Sequence, residues 1–550
     1  MYVNQIELYL KQGIQEAISK SFACEVLIDE IIIEIPKDTS HGDYATNVAM
    51  RLTKQLKKNP RDIAMAIVEA IDKEKANIQT CEIAGPGFIN FKMKSASLAN
   101  ILTHVLEAQD RYGYNDSGKG MKINVEYVSA NPTGDLHLGH ARGAAWGDSV
   151  TRLLNASGYE VCREFYVNDA GNQITNLAHS LIARYHQVFN IEKELPEDGY
   201  HGKDVINIAH EMAKLYGDRY VNDTSQETFQ FFKKEGIRLE LEKLKRDLDY
   251  FRVAFDVWSS EQDLHDQGKV EEALNRLRDL GQTYEKEGAI WFKSTEYGDD
   301  KDRVLKKSDG SYTYFVPDIA YHITKFERGY EKLINLWGAD HHGYIPRMKA
   351  ALQALGQPKD LLEVDIIQMV RLVEDGKEVK MSKRTGNAVT IRELCDEVGV
   401  DAVRYFFVQR ALDTHLDFDL SLARKQSNDN PVYYAQYAHA RICSILRQNT
   451  IQKEVDVYDL LTHEKEIALL KYINEFSNVV ADAARTRAPH KICHYIQKLA
   501  QHFHSFYNAC KVIDKEQEEL SAQRIALLKA TKITLKNALY FIGVHAVEKM

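Results

Sequence analysis

Two histidines three residues apart, His137 and His140, and two lysines three residues apart, Lys380 and Lys383, are the side chains whose types and spacing first suggest chemistry. The histidines belong to His137-Leu-Gly-His140. An apolar-alternating run, Ile123 to Val128, predicts a strand ahead of them, and small turn-forming residues fill Ser129 to Asp135. Ala141 to Leu154 then has helical spacing. Strand, tight turn and helix start together receive phosphate, because the first helical N–H groups lack partners within the helix and its dipole favours an anion. Both imidazoles share one face of a first turn. Gly139, without a Cβ, lets a nucleotide lie against the backbone. The lysines stand 240 residues beyond His140, in Lys380-Met381-Ser382-Lys383. Gly376 and Gly386 flank them, which suits a loop able to close over substrate. Ammonium groups there would neutralise charge developing on a leaving phosphate; an isolated pair of this spacing is equally the mark of a solvated face.

The elements that must carry other reactive groups are visible nearby. Leu333 to Gly343 is an apolar strand ending in Gly-Ala-Asp340-His341-His-Gly. Ligands of open α/β sheets collect at such carboxyl ends. Adjacent histidines rarely converge on one ion, so a metal is not expected there. Glu126 lies in the strand before the histidines, where burial would demand a cationic partner, either a ligand or an ordinary ion pair. Arg303 to Lys325 predicts a strand, a Ser-Asp-Gly turn, a Tyr-Thr-Tyr-Phe strand and a helix for which Asp318 is a candidate N-cap.

The chain has 550 residues, enough for about three or four domains. Its 44% hydrophobic and 27% charged content is that of a globular protein, and no apolar run approaches the ~20 residues of a membrane span. The first residues are amphipathic and lack a signal peptide's layout. Seven scattered cysteines without a CxxC pair argue against a disulfide framework and a structural zinc, and the expectation is a cytoplasmic protein. Net charge is −9, distributed unevenly: Asn430 to Met550 carries 16 Lys/Arg against 12 Asp/Glu. That is compatible with a polyanion at the C-terminal end and equally with a solvated basic face.

Residues 1–112 read as an α+β domain. Helical stretches near Val3–Ser21 and Ala45–Ile71 bracket a β-rich run, Val26 to Ile35, and Gly-Pro-Gly punctuates a strand between Ile83 and Phe91. Residues 113–425 form the nucleotide domain, interrupted by a helical, charged insertion at about 176–288, with the nucleotide fold resuming at Ala289 and the lysine loop at 376–386. Residues 426–550 are helical, with long 3.6-period stretches.

The words ANPTG-x-LH-x-GH, FYVNDAGNQI and KMSKRTG resemble a class I aminoacyl-tRNA synthetase, with Leu138 in place of the isoleucine of that class's name-giving HIGH tetrapeptide. HGDYATNVAM, AGPGFINF, NPVYYAQYAHARICSIL and GVHAVEKM extend the resemblance to arginyl-tRNA synthetases of bacterial type over nearly the whole length. The implied fold is α/β: a Rossmann-like parallel-sheet nucleotide-binding catalytic domain with a helical insertion, an N-terminal α+β domain and a C-terminal all-α anticodon-binding domain. The implied activity is ATP-dependent charging of tRNA(Arg) with L-arginine through an arginyl-adenylate, with Mg²⁺ on the triphosphate, no zinc, no membrane and a single protomer.

The resemblance also implies site roles. His137, Gly139, His140, Asp340, His341, Lys380, Met381, Ser382 and Lys383 match ATP-binding positions, with His137, His140, Lys380 and Lys383 catalytic. Glu126, Asn131, Tyr314, Asp318 and Asp340 match the arginine pocket, where a carboxylate grips the guanidinium fork and a ring lies against its face. Phe88, Asn90, Tyr434, Tyr437 and Met550 match tRNA-contacting positions. From the residues alone, Phe88 is as readily core, Asn90 a turn residue, and the tyrosines half-buried packing. The alternatives are another class I synthetase such as the cysteinyl enzyme, whose thiolate-rich zinc site these cysteines do not suit, a tRNA-binding relative without activity, or a small-molecule nucleotidyltransferase.

Overall fold

The computed structural model describes residues 5–36, 41–379 and 389–550. At its centre lies a five-stranded, wholly parallel sheet: β1 (Lys122–Glu126), β2 (Glu160–Val167), β3 (Val257–Ser260), β4 (Lys332–Gly338) and β5 (Leu362–Ile367), in the order β5-β4-β1-β2-β3. Covered on both faces, β1 and β4 are largely buried. Helix α1 (Leu138–Ala156) leads from β1 to β2, and a helix at Ile345–Ala354 leads from β4 to β5. The chain therefore leaves β1 and β4 toward opposite edges, and the sheet parts between them. Such a switch point opens a crevice at the strands' carboxyl ends.

The strand Val257–Ser260 corrects the expected extent of the insertion, because the sheet is rejoined well before Ala289. Four residues at a sheet edge, Val-Trp-Ser-Ser, are too short to show a period. The helical part is Asn172–Val188, Lys203–Tyr216 and Gln226–Tyr250, with its own small core around Leu181, Met212 and Phe232. A second correction concerns Tyr-Thr-Tyr-Phe, which forms an isolated bridge at Tyr312 rather than a strand. Helix α2 (Phe315–Glu327) starts instead, and tolerates Pro317 because N–H groups of a first turn have no helical acceptor anyway.

The N-terminal domain pairs helices Gln5–Phe22 and Pro60–Ala70 with a four-stranded antiparallel sheet. Its Val26 to Ile35 run gives only a 3₁₀ turn and the short strand Ile33–Glu34, and the expected Ala45 helix begins with a strand, Tyr44–Thr46. The hairpin Ile78–Ala84/Phe88–Met93 turns at Gly-Pro-Gly. Asn90 is thus a strand residue, not a turn residue. It shares a sheet face with Phe88, while Ile89, Phe91 and Met93 point into the core.

One apolar core runs from α1 through Val400–Val408 into the C-terminal helices Pro431–Arg447, His490–Ala509 and Glu518–Phe541. No helix among the described residues is long and apolar enough to cross a membrane. At the junction lies Arg404, fully buried, which pairs with Asp148 of α1 and donates to the carbonyls of Phe251 (2.9 Å) and Ile542 (3.1 Å). Gly543 allows this: its φ is +68°, and an added Cβ would sit 2.1–2.2 Å from the guanidinium. Asp148→Ala leaves a buried cation without its carboxylate and should cost about 3–5 kcal/mol. The expected result is a clearly lower melting temperature by calorimetry, and an unchanged one would show that the carbonyls suffice.

Candidate active site

At the switch point α1 begins with an unusual cap. His137 Nδ1 accepts from the Gly139 N–H (3.2 Å), and His140 Nδ1 accepts from the His137 N–H (3.3 Å). The rings stack with centroids 3.8 Å apart. Burial lowers the His137 imidazole below its usual range and, with His137 as neighbour, takes His140 to about 3, so both are neutral at physiological pH. Because each Nδ1 accepts a backbone proton, each neutral ring carries its own proton on Nε2. The pair therefore offers two N–H donors at a helix start, which is the chemistry of a phosphate cradle rather than of a proton-transfer couple.

These histidines line a cleft of about 870 Å³ bounded also by Asn131, Gly139, Asp340, His341 and Gln368. The structure so brings together the residues expected at the ends of β1, α1 and β4. Asp340 and His341 lie exposed in a 3₁₀ turn after β4, 3.3 Å apart. Asn131 donates to Gln173 (2.8 Å). The turn after β1 passes through Val128 (φ +69°) and Ser129 (φ +41°). A left-handed β-branched residue is costly and is held here only by its surroundings. Its effect is to bring Ser129 Oγ to Glu126 Oε1 (3.0 Å).

Near Tyr166, which lines the cleft, stands a half-buried acidic group. Asp318, in the first turn of α2 but not its N-cap (Tyr314 holds that position), accepts from the Tyr344 hydroxyl (2.5 Å). Its carboxyl is pushed up to about 7, by burial and by the charges of Glu261 and Glu126, against the Tyr344 bond and a smaller opposing pull from Lys325. Glu261 is itself buried and raised by burial, with Tyr166 as partner. Glu126 has found the ordinary ion pair: Lys325 Nζ, fully buried, stands 2.6 Å from Oε2 and 3.1 Å from Asn335 Oδ1. Asp318 thus stands in the field of Glu261, and a cation beside the two would be favoured. Tyr314 is not drawn in beside them; its ring is 78% exposed.

Sequence reasoning missed Glu261, which it placed in the charged insertion. The available signal was position, since Glu261 opens a helix at the carboxyl end of β3. Lys380, Met381, Ser382 and Lys383 lie outside the described residues. In the C-terminal helices Tyr434 and Tyr437 are half-buried beside His504, with ring centroids at 5.2 and 6.1 Å. The tail docks on the same helix through His439–Val547 (2.8 Å) and Gln436–His545 (2.9 Å), leaving Met550 57% exposed.

A doubly wound sheet whose switch point joins a neutral-histidine helix start to a substrate cleft is the arrangement of a class I aminoacyl-tRNA synthetase, and residues 101–410 match the family described as tRNA synthetases class I (R), catalytic domain. Residues 8–93 match the arginyl-tRNA synthetase N-terminal domain and 435–550 the DALR anticodon-binding domain. The chain belongs to the arginyl-tRNA synthetase family. It is 57% identical to the arginine–tRNA ligase of Bacillus subtilis (strain 168) over 551 residues, 99% of each chain. It is also 57% identical to that of Bacillus licheniformis over the full length of both. The solved Thermus thermophilus arginyl-tRNA synthetase, at 21% identity, has the same fold, with a TM-score of 0.77 over 98% of this chain and 99% of that one.

Asp318 would give a bound cation a pH dependence. Held by the ionised carboxyl, the cation's affinity would approach its full value as pH rises well past about 7 and fall as acid protonates the carboxyl, by up to tenfold per pH unit. Calorimetric titration with arginine between pH 6 and 8 should show this slope, and Asp318→Asn should abolish it while weakening binding.

Proposed function

We propose that this chain ligates L-arginine to tRNA(Arg), using ATP, in two steps without a covalent enzyme intermediate. The arginine carboxylate attacks the α-phosphate of ATP, forming arginyl-adenylate and expelling pyrophosphate. A terminal ribose hydroxyl, the 2′-OH in this class, then takes the arginyl group and releases AMP. The observation that carries the reading is Asp318, half-buried in the field of Glu261, beside a cleft that begins at a histidine-capped helix. One half suits a guanidinium and the other a triphosphate.

In this reading His137 and His140 donate Nε2–H to phosphate oxygens, and Gly139 gives room for the nucleotide. Asp340 and His341 hold the ribose side, and Lys380, Met381, Ser382 and Lys383 close on the pyrophosphate. Mg²⁺ arrives on the triphosphate as part of the substrate. Asp318 grips the guanidinium, with Glu261 adding to the field, and Tyr314, exposed at the start of α2, turns in to cover the fork when arginine binds. Asn131, Asp340 and the Oε1 side of Glu126 face the α-ammonium and carboxylate. Catalysis is positioning and charge stabilisation. We assign residues 1–112 to D-loop contact through Phe88 and Asn90, 113–425 to catalysis and 426–550 to the anticodon. The seven free thiols suit a reducing cytoplasm, and we read the enzyme as a single protomer.

Purified protein should charge tRNA with arginine and reject lysine, whose ammonium cannot fill a bidentate fork. Comparable charging with lysine, glutamine or cysteine would overturn the assignment.

Tyr437 and Met550 are assigned to the anticodon loop, where an aromatic ring and a flexible thioether pack on splayed bases. Tyr437→Ala and removal of Met550 should each lower efficiency toward tRNA by roughly 1–3 kcal/mol, with arginine and ATP binding unchanged. Parent-like charging over a tRNA titration would sink this assignment alone.

A further inference from the structure

Resting on the ATP-dependent reading above, we propose that Arg142, together with Gly143, is a positioning residue that fixes the far wall of the nucleotide cleft against the histidine-capped start of α1. Arg142 follows His140 by two residues, so its side chain leaves α1 on another face. It is fully buried. Its fork donates to three main-chain carbonyls from two segments: Nη1 to Gln368 (2.9 Å) and Thr414 (2.8 Å), and Nη2 to Ala411 (2.8 Å). Burial lowers the guanidinium to about 10, which still leaves it protonated at neutral pH.

The position of those carbonyls matters. The β4–β5 ladder ends at the pair Gly338/Ile367, so Gln368 and Met369 lie just beyond the sheet. They are tied to the neighbouring loop, Gln368 N–H to Leu412 O (3.1 Å) and Leu416 N–H to Met369 O (3.2 Å), and Arg142 binds that loop as well. Gln368, Met369 and Val370 line the same cleft as His137 and His140. Met369 is 70% exposed although apolar, and an adaptable thioether side chain there can lie against a purine. Gly143 brings α1 against this wall, since a Cβ there would lie 2.9 Å from Ile367 Cδ1. Residues 142 and 143 thus set the distance between the groups that hold phosphate and the wall that meets the base. Lysine, a single point charge, cannot hold three carbonyls in this fork geometry.

The test compares the parent with Arg142→Lys by equilibrium binding of AMP, binding of arginine alone, and charging over an ATP titration at saturating arginine and tRNA. Arg142→Lys should weaken AMP and raise the KM for ATP about fivefold to tenfold, with a smaller change in kcat and arginine affinity within about twofold. Unchanged AMP affinity and ATP KM, or a loss shared equally by arginine, would overturn the proposal and leave Arg142 as core packing. If Arg142→Lys does not fold, Gly143→Ala decides, because it keeps the guanidinium bonds and presses on Ile367. It should weaken AMP while sparing arginine, and parent-like AMP binding overturns the proposal. A parent protein that fails to charge tRNA with arginine would instead overturn the functional reading, since the AMP comparison does not depend on it.

Discussion

Everything in this molecule is arranged around one buried helix. Helix α1 is covered almost all round, so each of its faces must be answered by a different part of the chain. Its start carries the stacked histidine pair. Arg142 and Gly143 reach the end of β5, and Asp148 meets Arg404 at the junction with the C-terminal helices. A helix packed this tightly cannot shift without disturbing all three neighbours, because protein interiors have little free volume to absorb the movement. The precision of the cleft and the attachment of the C-terminal module are thus consequences of the same packing.

The electrostatics of the two halves of the site are opposed. Desolvation lowers both histidines, His140 to about 3, so the helix start presents N–H donors rather than cations. Asp318, desolvated and beside the charges of Glu261 and Glu126, is pushed up to about 7. Burial acts on both sets, and in each case it disfavours the charged form. The difference is that a cationic ligand can restore the charge of the acids. Lys325 already satisfies Glu126, which takes that carboxylate out of the balance.

Much was legible in the sequence because the signals were local. The strand, turn and helix around His137 and His140 could be read from period and small residues, and the same words carried the family resemblance. The Phe88–Asn90 hairpin was marked by Gly-Pro-Gly. Where local signals misled, a physical reason can be given. Asp318 has the chemistry of an N-cap, yet Phe315 begins the helix because Pro317 suits a first turn. Val257–Ser260 is four residues long, and a strand that short is recognised only by the neighbour it pairs with.

By itself, then, the sequence determined the class of fold, the helix start at the nucleotide site and the motifs that identify the family, since each depends on residues adjacent in the chain. Only the tertiary structure decided which charges remain unanswered. Glu126 pairs with Lys325 across 199 residues, Glu261 reaches Asp318's surroundings from the edge of the sheet, and Arg142 stitches carbonyls more than 200 residues away. Coulomb interaction and desolvation depend on distance in space and on what excludes water. Neither is written in the order of residues, so the balance of charge in the site appears only once the chain is folded.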